Sequence, residues 1–406
     1  MRVARNIDSL ENYLNKRRQR KNKISEKVSK IIREVCENGD NALIEYTRKF
    51  DKVKALPREL KISESEISAA FNELDSSLIS AFKLAIDNVT KFYKQQIPKT
   101  NRIKENSGKT LSNRYVPLER VGVYVPAGTA PLVSSVYMAV IPALVAGVKE
   151  VVLASPPTKD KSLNPFILAM ASLLKIKEIY RVGGAQAIAA LACGTKTIKK
   201  VDKIVGPGND FVTEAKRQLF GEVGIDMLAG PSEVVVLASK DANIDYIVSD
   251  LESQIEHYNG TGIVITNSRK VIRELRKRKV SGVALRVKNL DKGCEAVNRI
   301  APEHLEILTK KPSSLVKKIK NAGAIFLGEN SPVALGDYTA GPSHVLPTGG
   351  SARSFSCLSV RDFLKEIHVI SYTKKALQEE AQVLEKIANL EGMTKHIESV
   401  KKRLTS

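Results

Sequence analysis

The sequence predicts an α/β protein with two Rossmann-like parallel-sheet domains plus small helical N- and C-terminal extensions. Three observations carry this expectation. Short apolar runs rich in Val and Ile alternate with helix-period segments from about residue 120 to about residue 330, as parallel strands covered on both faces require. The alternation falls into two series that part near Ser232. At 406 residues the chain is also too long for one hydrophobic core.

Residues 1–100 read as helical. Apolar positions recur at helical spacing over 24–36, with Gly39 as the stop. Ser63-Glu64-Ser65-Glu66 has capping-box spacing ahead of a helix over 67–74. A longer amphipathic stretch covers 78–92, and Pro98 closes it. The first β-rich series has strands at 121–125, 150–154, 178–182 and 203–205, with helices over 133–146, 185–192 and 211–219. The second opens at 233–238 and continues through 262–266, 283–287, 306–308 and 324–327, with helices over 244–257 and 271–278. From about Arg361 the tail is expected to be mostly helical, most strongly over 376–389.

Composition excludes several functional classes. No apolar run reaches the ~18 residues of a membrane span, and Met1-Arg2-Val3-Ala4-Arg5 has no signal-peptide core, so a cytoplasmic protein is expected. Cys36, Cys193, Cys294 and Cys357 are scattered without a CxxC pair and are expected to be buried free thiols. The formal charge of +21 invites comparison with nucleic-acid binders. Its lysines and arginines are dispersed, however, aromatics are 5% with no Trp, and no helix-turn-helix or RNP-like motif occurs. Specific nucleic-acid binding is therefore not expected; such a protein would bind duplex in a strongly salt-dependent way.

Histidine is scarce, with five in the chain, and three lie in sharply polar motifs. These are Ser253-Gln254-Ile255-Glu256-His257, Ala301-Pro302-Glu303-His304-Leu305-Glu306, and a segment from Gly336-Asp337-Tyr338 to Gly341-Pro342-Ser343-His344. Gln254 and His257 are three apart near a helix end and share a face, a spacing that suits two ligands of one ion or equally a solvated helix tip. Asp337 and His396 could complete an N/O set of the kind that suits zinc. Glu303 beside His304 could form an acid/base pair, or an exposed dipeptide ending a helix. His344 stands in an irregular Gly-Pro turn that reads as structural or functional alike, and His368 alternates with apolar residues as a strand histidine would.

No GxGxxG fingerprint is present. Glycine turns do recur at Pro126-Ala127-Gly128-Thr129-Ala130-Pro131, Gly183-Gly184-Ala185-Gln186, Gly206-Pro207-Gly208-Asn209 and Ala229-Gly230-Pro231-Ser232. Most end a predicted strand, where open α/β sheets bind ligands and helix N-termini can hold phosphates.

Taken in order, these segments closely resemble the histidinol dehydrogenase family. The likeness runs from Arg120-Val121-Gly122-Val123-Tyr124-Val125-Pro126 through Gly224-Ile225-Asp226-Met227-Leu228-Ala229-Gly230-Pro231-Ser232-Glu233 to the Asp337–Pro347 segment, nearly the whole chain. The resemblance implies an NAD-dependent, zinc-containing enzyme that oxidises L-histidinol through histidinal to L-histidine, the last step of histidine biosynthesis. It implies one zinc per subunit on Gln254, His257, Asp337 and His396, with Glu303 and His304 as the acid/base pair. Ser232, Gln254, His257, His304, Asp337, His344, Glu391 and His396 would hold the substrate, and Tyr124, Gln186 and Asn209 would contact NAD. None of the four cysteines falls in these motifs, which disfavours a thiohemiacetal route. The resemblance further implies an intertwined homodimer whose swapped tail brings Glu391 and His396 to the other subunit's site.

The expected division is a helical extension at 1–19, a discontinuous Rossmann-like domain of 20–120 with 233–358, a second at 121–232, and a tail at 359–406. Two departures from the family pattern stand out: a shorter interval between His257 and His304, trimmed around 266–290, and Tyr258-Asn259 directly after His257. The nearest rival is a relative acting on another amino or sulfonated alcohol, against which Glu391, a match for an ammonium group, speaks.

Overall fold

The computed structural model describes residues 1–18, 22–127, 131–256 and 259–405. His257, Tyr258 and the turn residues Gly128, Thr129 and Ala130 lie outside the described residues. The strands, in chain order, are β1 (Arg2–Ala4), β2 (Arg102–Lys104), β3 (Thr110–Pro117), β4 (Arg120–Tyr124), β5 (Glu150–Ser155), β6 (Glu178–Arg181) and β7 (Lys203–Val205). They continue as β8 (Gly224–Ile225), β9 (Glu233–Ala238), β10 (Thr261–Thr266), β11 (Val283–Arg286), β12 (His304–Leu308), β13 (Ala324–Leu327) and β14 (Leu364–Ser371).

Two of the three sheets are parallel, as the alternation requires. The first has the order β6-β5-β4-β7-β8, and the second β1-β11-β10-β9-β12-β13. Renumbered within each series, both follow the doubly wound order 3-2-1-4-5, the second with β1 added at its edge. Burial on both faces explains the unbroken apolar runs. Val235, Leu237, Ile263, Ile265, Leu305 and Ile307 pack on one side of the second sheet, and Val234, Val236, Ala238, Val264 and Leu308 on the other. The first sheet packs with the helices Asn22–Asn38 and Gly184–Cys193 in a core that includes Val28, Val35, Val152 and Ile188.

Local signals set the element ends. Ser63 Oγ accepts from the Glu66 N–H, and Glu66 returns the bond to the Ser63 N–H at 3.0 Å, completing the expected capping box. Helix Asn22–Asn38 stops at Gly39, whose φ of 54° suits glycine. The interval 266–290 forms the helix Arg269–Lys277 and strand β11, which pairs in parallel with β10.

Three expectations are corrected. Residues 2–4, read as helical, form β1 and pair with β11. The tail is mostly helical as expected, over Lys374–Leu390 and Thr394–Thr405, but it does not begin so, because β14 pairs antiparallel with β3 over its full length. Not all four cysteines are free: Cys36 and Cys193 form a disulfide with Cα atoms 5.6 Å apart, and Cys357 is exposed. The two paired cysteines sit on packed helices but are separated by 157 residues, so no local spacing reveals them. Cys294 is free and buried, as expected.

The chain forms two compact units. One comprises Met1–Gln96 with Leu118–Phe363 and holds both parallel sheets; the other comprises Ile97–Pro117 with Leu364–Ser406. The second unit contains β2, β3, β14 and the helices Lys374–Leu390 and Thr394–Thr405. Among the described residues no helix is long and apolar enough to cross a membrane.

Candidate active site

A cleft of about 710 Å³ opens in the first unit between the two parallel sheets. Tyr124, Gln186, Asn209, Ser232, Glu303 and His344 all line it. Its two walls come from opposite strand ends.

One wall is the C-terminal edge of the first sheet. Tyr124 ends β4, is buried, and accepts the Gly184 N–H through its hydroxyl at 3.0 Å. Burial pushes its phenol up to about 12. Gln186 lies buried in the first turn of helix Gly184–Cys193. Asn209 caps helix Asp210–Leu219, its Oδ1 accepting the N–H groups of Phe211 and Val212 at 3.1 Å. Gly206, just past β7, has φ of 114°, and a Cβ there would fall 2.1 Å from the Tyr124 carbonyl oxygen. Two helix N-termini therefore face the cleft at the switch point between β4 and β7, the arrangement that binds nucleotides in open α/β sheets.

The other wall is the N-terminal edge of the second sheet. β9 and β12 are neighbours, which sets Ser232 and Glu233 beside Glu303 and His304. Glu303 and His304 are both buried, so they are not an exposed dipeptide. Glu303 Oε2 accepts the Glu233 N–H at 3.0 Å, and the Ser232 hydroxyl also bonds this carboxyl. Burial first, and then the carboxylates of Glu233 and Asp337, hold the Glu303 proton well above the usual carboxylate range. His304 stands between two carboxylates, with Nδ1 3.7 Å from Glu303 Oε2 and Nε2 3.9 Å from Asp337 Oδ1. His344 is fixed on both nitrogens, Nδ1 at 3.0 Å from the Asp337 carbonyl oxygen and Nε2 at 3.2 Å from Ser135 Oγ.

Gln254 lies in the last turn of helix Ile244–Glu256 and is 3% exposed, so the solvated-tip reading does not hold. Its buried Nε2 has no hydrogen-bond partner among the described residues; the amide oxygen, not this N–H donor, is the atom that could ligate a cation. Asp337 lies in the last turn of the short helix Val333–Tyr338 with its carboxylate partly exposed. By donor chemistry the Gln254 amide oxygen and the accessible Asp337 carboxylate are groups a cation can take, although among the described residues no three His, Cys, Asp or Glu side chains converge on one point. In the second unit Glu391 is the exposed C-cap residue of helix Lys374–Leu390, and His396 is exposed in helix Thr394–Thr405.

Sequence reasoning missed several residues in or behind the cleft wall. Glu233 is buried and accepts the Gly350 N–H at 3.2 Å. Asp51 lines the cleft with a buried, unpartnered Oδ2, and burial raises its carboxyl to about 6. Lys216 and Asp226 form an ion pair in the cleft wall. For Lys216 a signal existed. It lies four residues after Val212 and three before Leu219, on the apolar face of an otherwise amphipathic helix, where a lysine needs a partner.

A histidinol dehydrogenase family model matches residues 14–404. The chain is 43% identical to the histidinol dehydrogenase of Carboxydothermus hydrogenoformans across 100% of both proteins. It is 45% identical to that of Bacillus subtilis, covering 93% of this chain and 92% of that protein. The crystal structure of histidinol dehydrogenase from Elizabethkingia anophelis matches with a TM-score of 0.93 at 35% identity, covering 99% of this chain and 97% of that one. An acetylating aldehyde dehydrogenase from Geobacillus thermoglucosidasius matches with a TM-score of 0.51 at 12% identity, a likeness of fold alone.

Proposed function

The chain belongs to the histidinol dehydrogenase family, oxidoreductases of histidine biosynthesis, and from that premise we propose that it performs the NAD-dependent four-electron oxidation of L-histidinol through L-histidinal to L-histidine. The observation that carries this reading is a cleft with a nucleotide-type switch point on one wall and Glu303, buried next to His304, on the other. Tyr124, Gln186 and Asn209, which line the first wall, would contact the dinucleotide.

In this reading His304 takes the proton of the carbinol in each of the two oxidations that need a base, and NAD, when bound beside it, would supply the hydride acceptor. Glu303 receives a proton from the water that adds to the aldehyde. Its raised affinity for protons, set by burial and by the charges of Glu233 and Asp337, makes the ionised carboxylate a stronger base than an ordinary one, so this step draws on the fraction of Glu303 that has given up its proton and gains as pH rises. Ser232 orients that carboxyl through its hydroxyl, and His344, locked by Ser135 and the Asp337 carbonyl, keeps the adjoining turn in place. One zinc per subunit would be held by Gln254, His257, Asp337 and His396 of the partner subunit, and would supply orientation of the substrate's nitrogens rather than redox chemistry. Glu391 of the partner subunit would pair with the substrate ammonium in a homodimer with exchanged tails. A closed cleft would retain the aldehyde between the two hydride transfers.

The test is NADH yield per histidinol consumed, with and without a chelator. Two NADH per histidinol consumed, with the rate of consumption falling toward zero when metal is stripped, supports the reading. Turnover only with a different amino alcohol, or turnover indifferent to chelation, overturns it.

A further inference from the structure

The cleft wall contains an ion pair that the proposed chemistry does not use. Lys216 Nζ and Asp226 Oδ1 are 2.5 Å apart, with side chains only 3% and 1% exposed. Replacing such a buried pair by apolar groups is often neutral or stabilising, so its presence calls for a reason other than stability.

Its hydrogen bonds supply one. Lys216 Nζ donates to the Gly206 carbonyl at 2.7 Å, and Asp226 Oδ2 accepts the Gly206 N–H at 2.7 Å. The pair therefore grips both polar groups of one residue. Asp226 Oδ1 also accepts the Met227 N–H at 2.6 Å, which ties the pair to the strand connection leading toward Ser232. Gly206 is the residue that can least shift: it sits at positive φ, and its Cα faces the Tyr124 carbonyl too closely for any side chain. Three residues later Asn209 caps the helix whose N-terminus faces the cleft.

We propose that Lys216 and Asp226 are positioning residues for the dinucleotide, a two-sided clamp on Gly206 that fixes the 206–209 turn and aims the Asp210–Leu219 helix N-terminus at the cofactor's phosphates. The clamp touches neither the substrate nor the reacting atoms. It acts through Gly206 and Asn209, and it rests on the dinucleotide reading given above.

The experiment is a titration of NADH fluorescence on the full-length protein without histidinol, using wild type, Lys216→Met, Asp226→Asn and the double variant, alongside melting temperatures and KM for histidinol. Each single variant should weaken dinucleotide binding by about tenfold or more, as expected for hydrogen bonds to charged groups, while KM for histidinol holds. The double variant leaves no lone buried charge and should recover melting temperature but not dinucleotide affinity, since the Gly206 carbonyl still lacks its partner. Affinity that recovers together with melting temperature shows a fold-supporting pair only and overturns the proposal. So do wild-type affinity in a single variant, KM for histidinol rising in step, or a double variant that does not fold. A wild-type protein that binds no dinucleotide would sink the NAD reading itself, a result distinct from failure of the clamp.

Discussion

Glu303→Gln separates the stability of this site from its chemistry. Glu303 is 5% exposed, and burial together with the charges of Glu233 and Asp337 raises its proton affinity well above the ordinary glutamate value of 4.5. In the unfolded chain the carboxyl loses its proton near 4.5, whereas in the folded protein it keeps it. The folded state then binds more protons than the unfolded state, so stability is full below about pH 4.5 and falls as pH rises toward the folded value. Within that window the loss is about 1.4 kcal/mol per pH unit. Glutamine keeps the shape and an acceptor for the Glu233 N–H but does not titrate. Stability of wild type and variant, measured by denaturant unfolding at stepped pH without substrate, should diverge in the variant's favour with about that slope. Ionising groups remote from Glu303 are common to both proteins and cancel. In parallel, oxidation of supplied histidinal should slow by roughly 10²–10⁴-fold, the usual contribution of a general base. A stability difference that stays constant with pH would refute the claim that Glu303 is held protonated. Unimpaired histidinal oxidation would refute its role in activating water.

Two further outcomes are expected. His304→Asn should impair alcohol and aldehyde oxidation together, each by roughly 10²–10⁴-fold, because one base serves both steps; direct assays with histidinol and with histidinal check this, and loss of one step alone contradicts it. Reducing Cys36–Cys193, which closes a span of 157 residues, should cost about 5 kcal/mol by loop-closure entropy and lower the melting temperature by about 6 °C; alkylation of both thiols in native, unreduced protein would refute the pairing.

How much was legible in the sequence follows from how far apart the interacting residues lie. Strands buried on both faces announce themselves, as with Glu233-Val234-Val235-Val236-Leu237-Ala238, because every side chain must be apolar or paired. Edge strands do not. β1 is three residues long, and in β14 seven of the eight residues are exposed, so neither shows a contrast between its two faces. The polar motifs were legible as places where chemistry could occur, since Glu303-His304 has no packing reason to sit together. Pairings between distant segments were not. Nothing in the neighbourhood of Asp226 indicates that it meets Lys216, or in that of Cys36 that it meets Cys193.

The two sheets share one winding but present opposite edges to the cleft, and the reason is electrostatic. At the C-terminal edge of a parallel sheet the following helices begin, so the first sheet offers the positive ends of Gly184–Cys193 and Asp210–Leu219. That edge suits the anionic pyrophosphate of a dinucleotide. At the N-terminal edge the preceding helices end, so the second sheet offers the negative ends of Ile244–Glu256, which carries Gln254, and Leu290–Ile300, which leads through Ala301 and Pro302 to Glu303. That edge suits an ammonium group or a metal cation, and it adds to the cost of ionising Glu303. A doubly wound sheet that used its C-terminal edge for both tasks would set a cationic ligand against helix N-termini. Turning the second sheet around gives one cleft a wall suited to an anion and, opposite it, a wall suited to a cation.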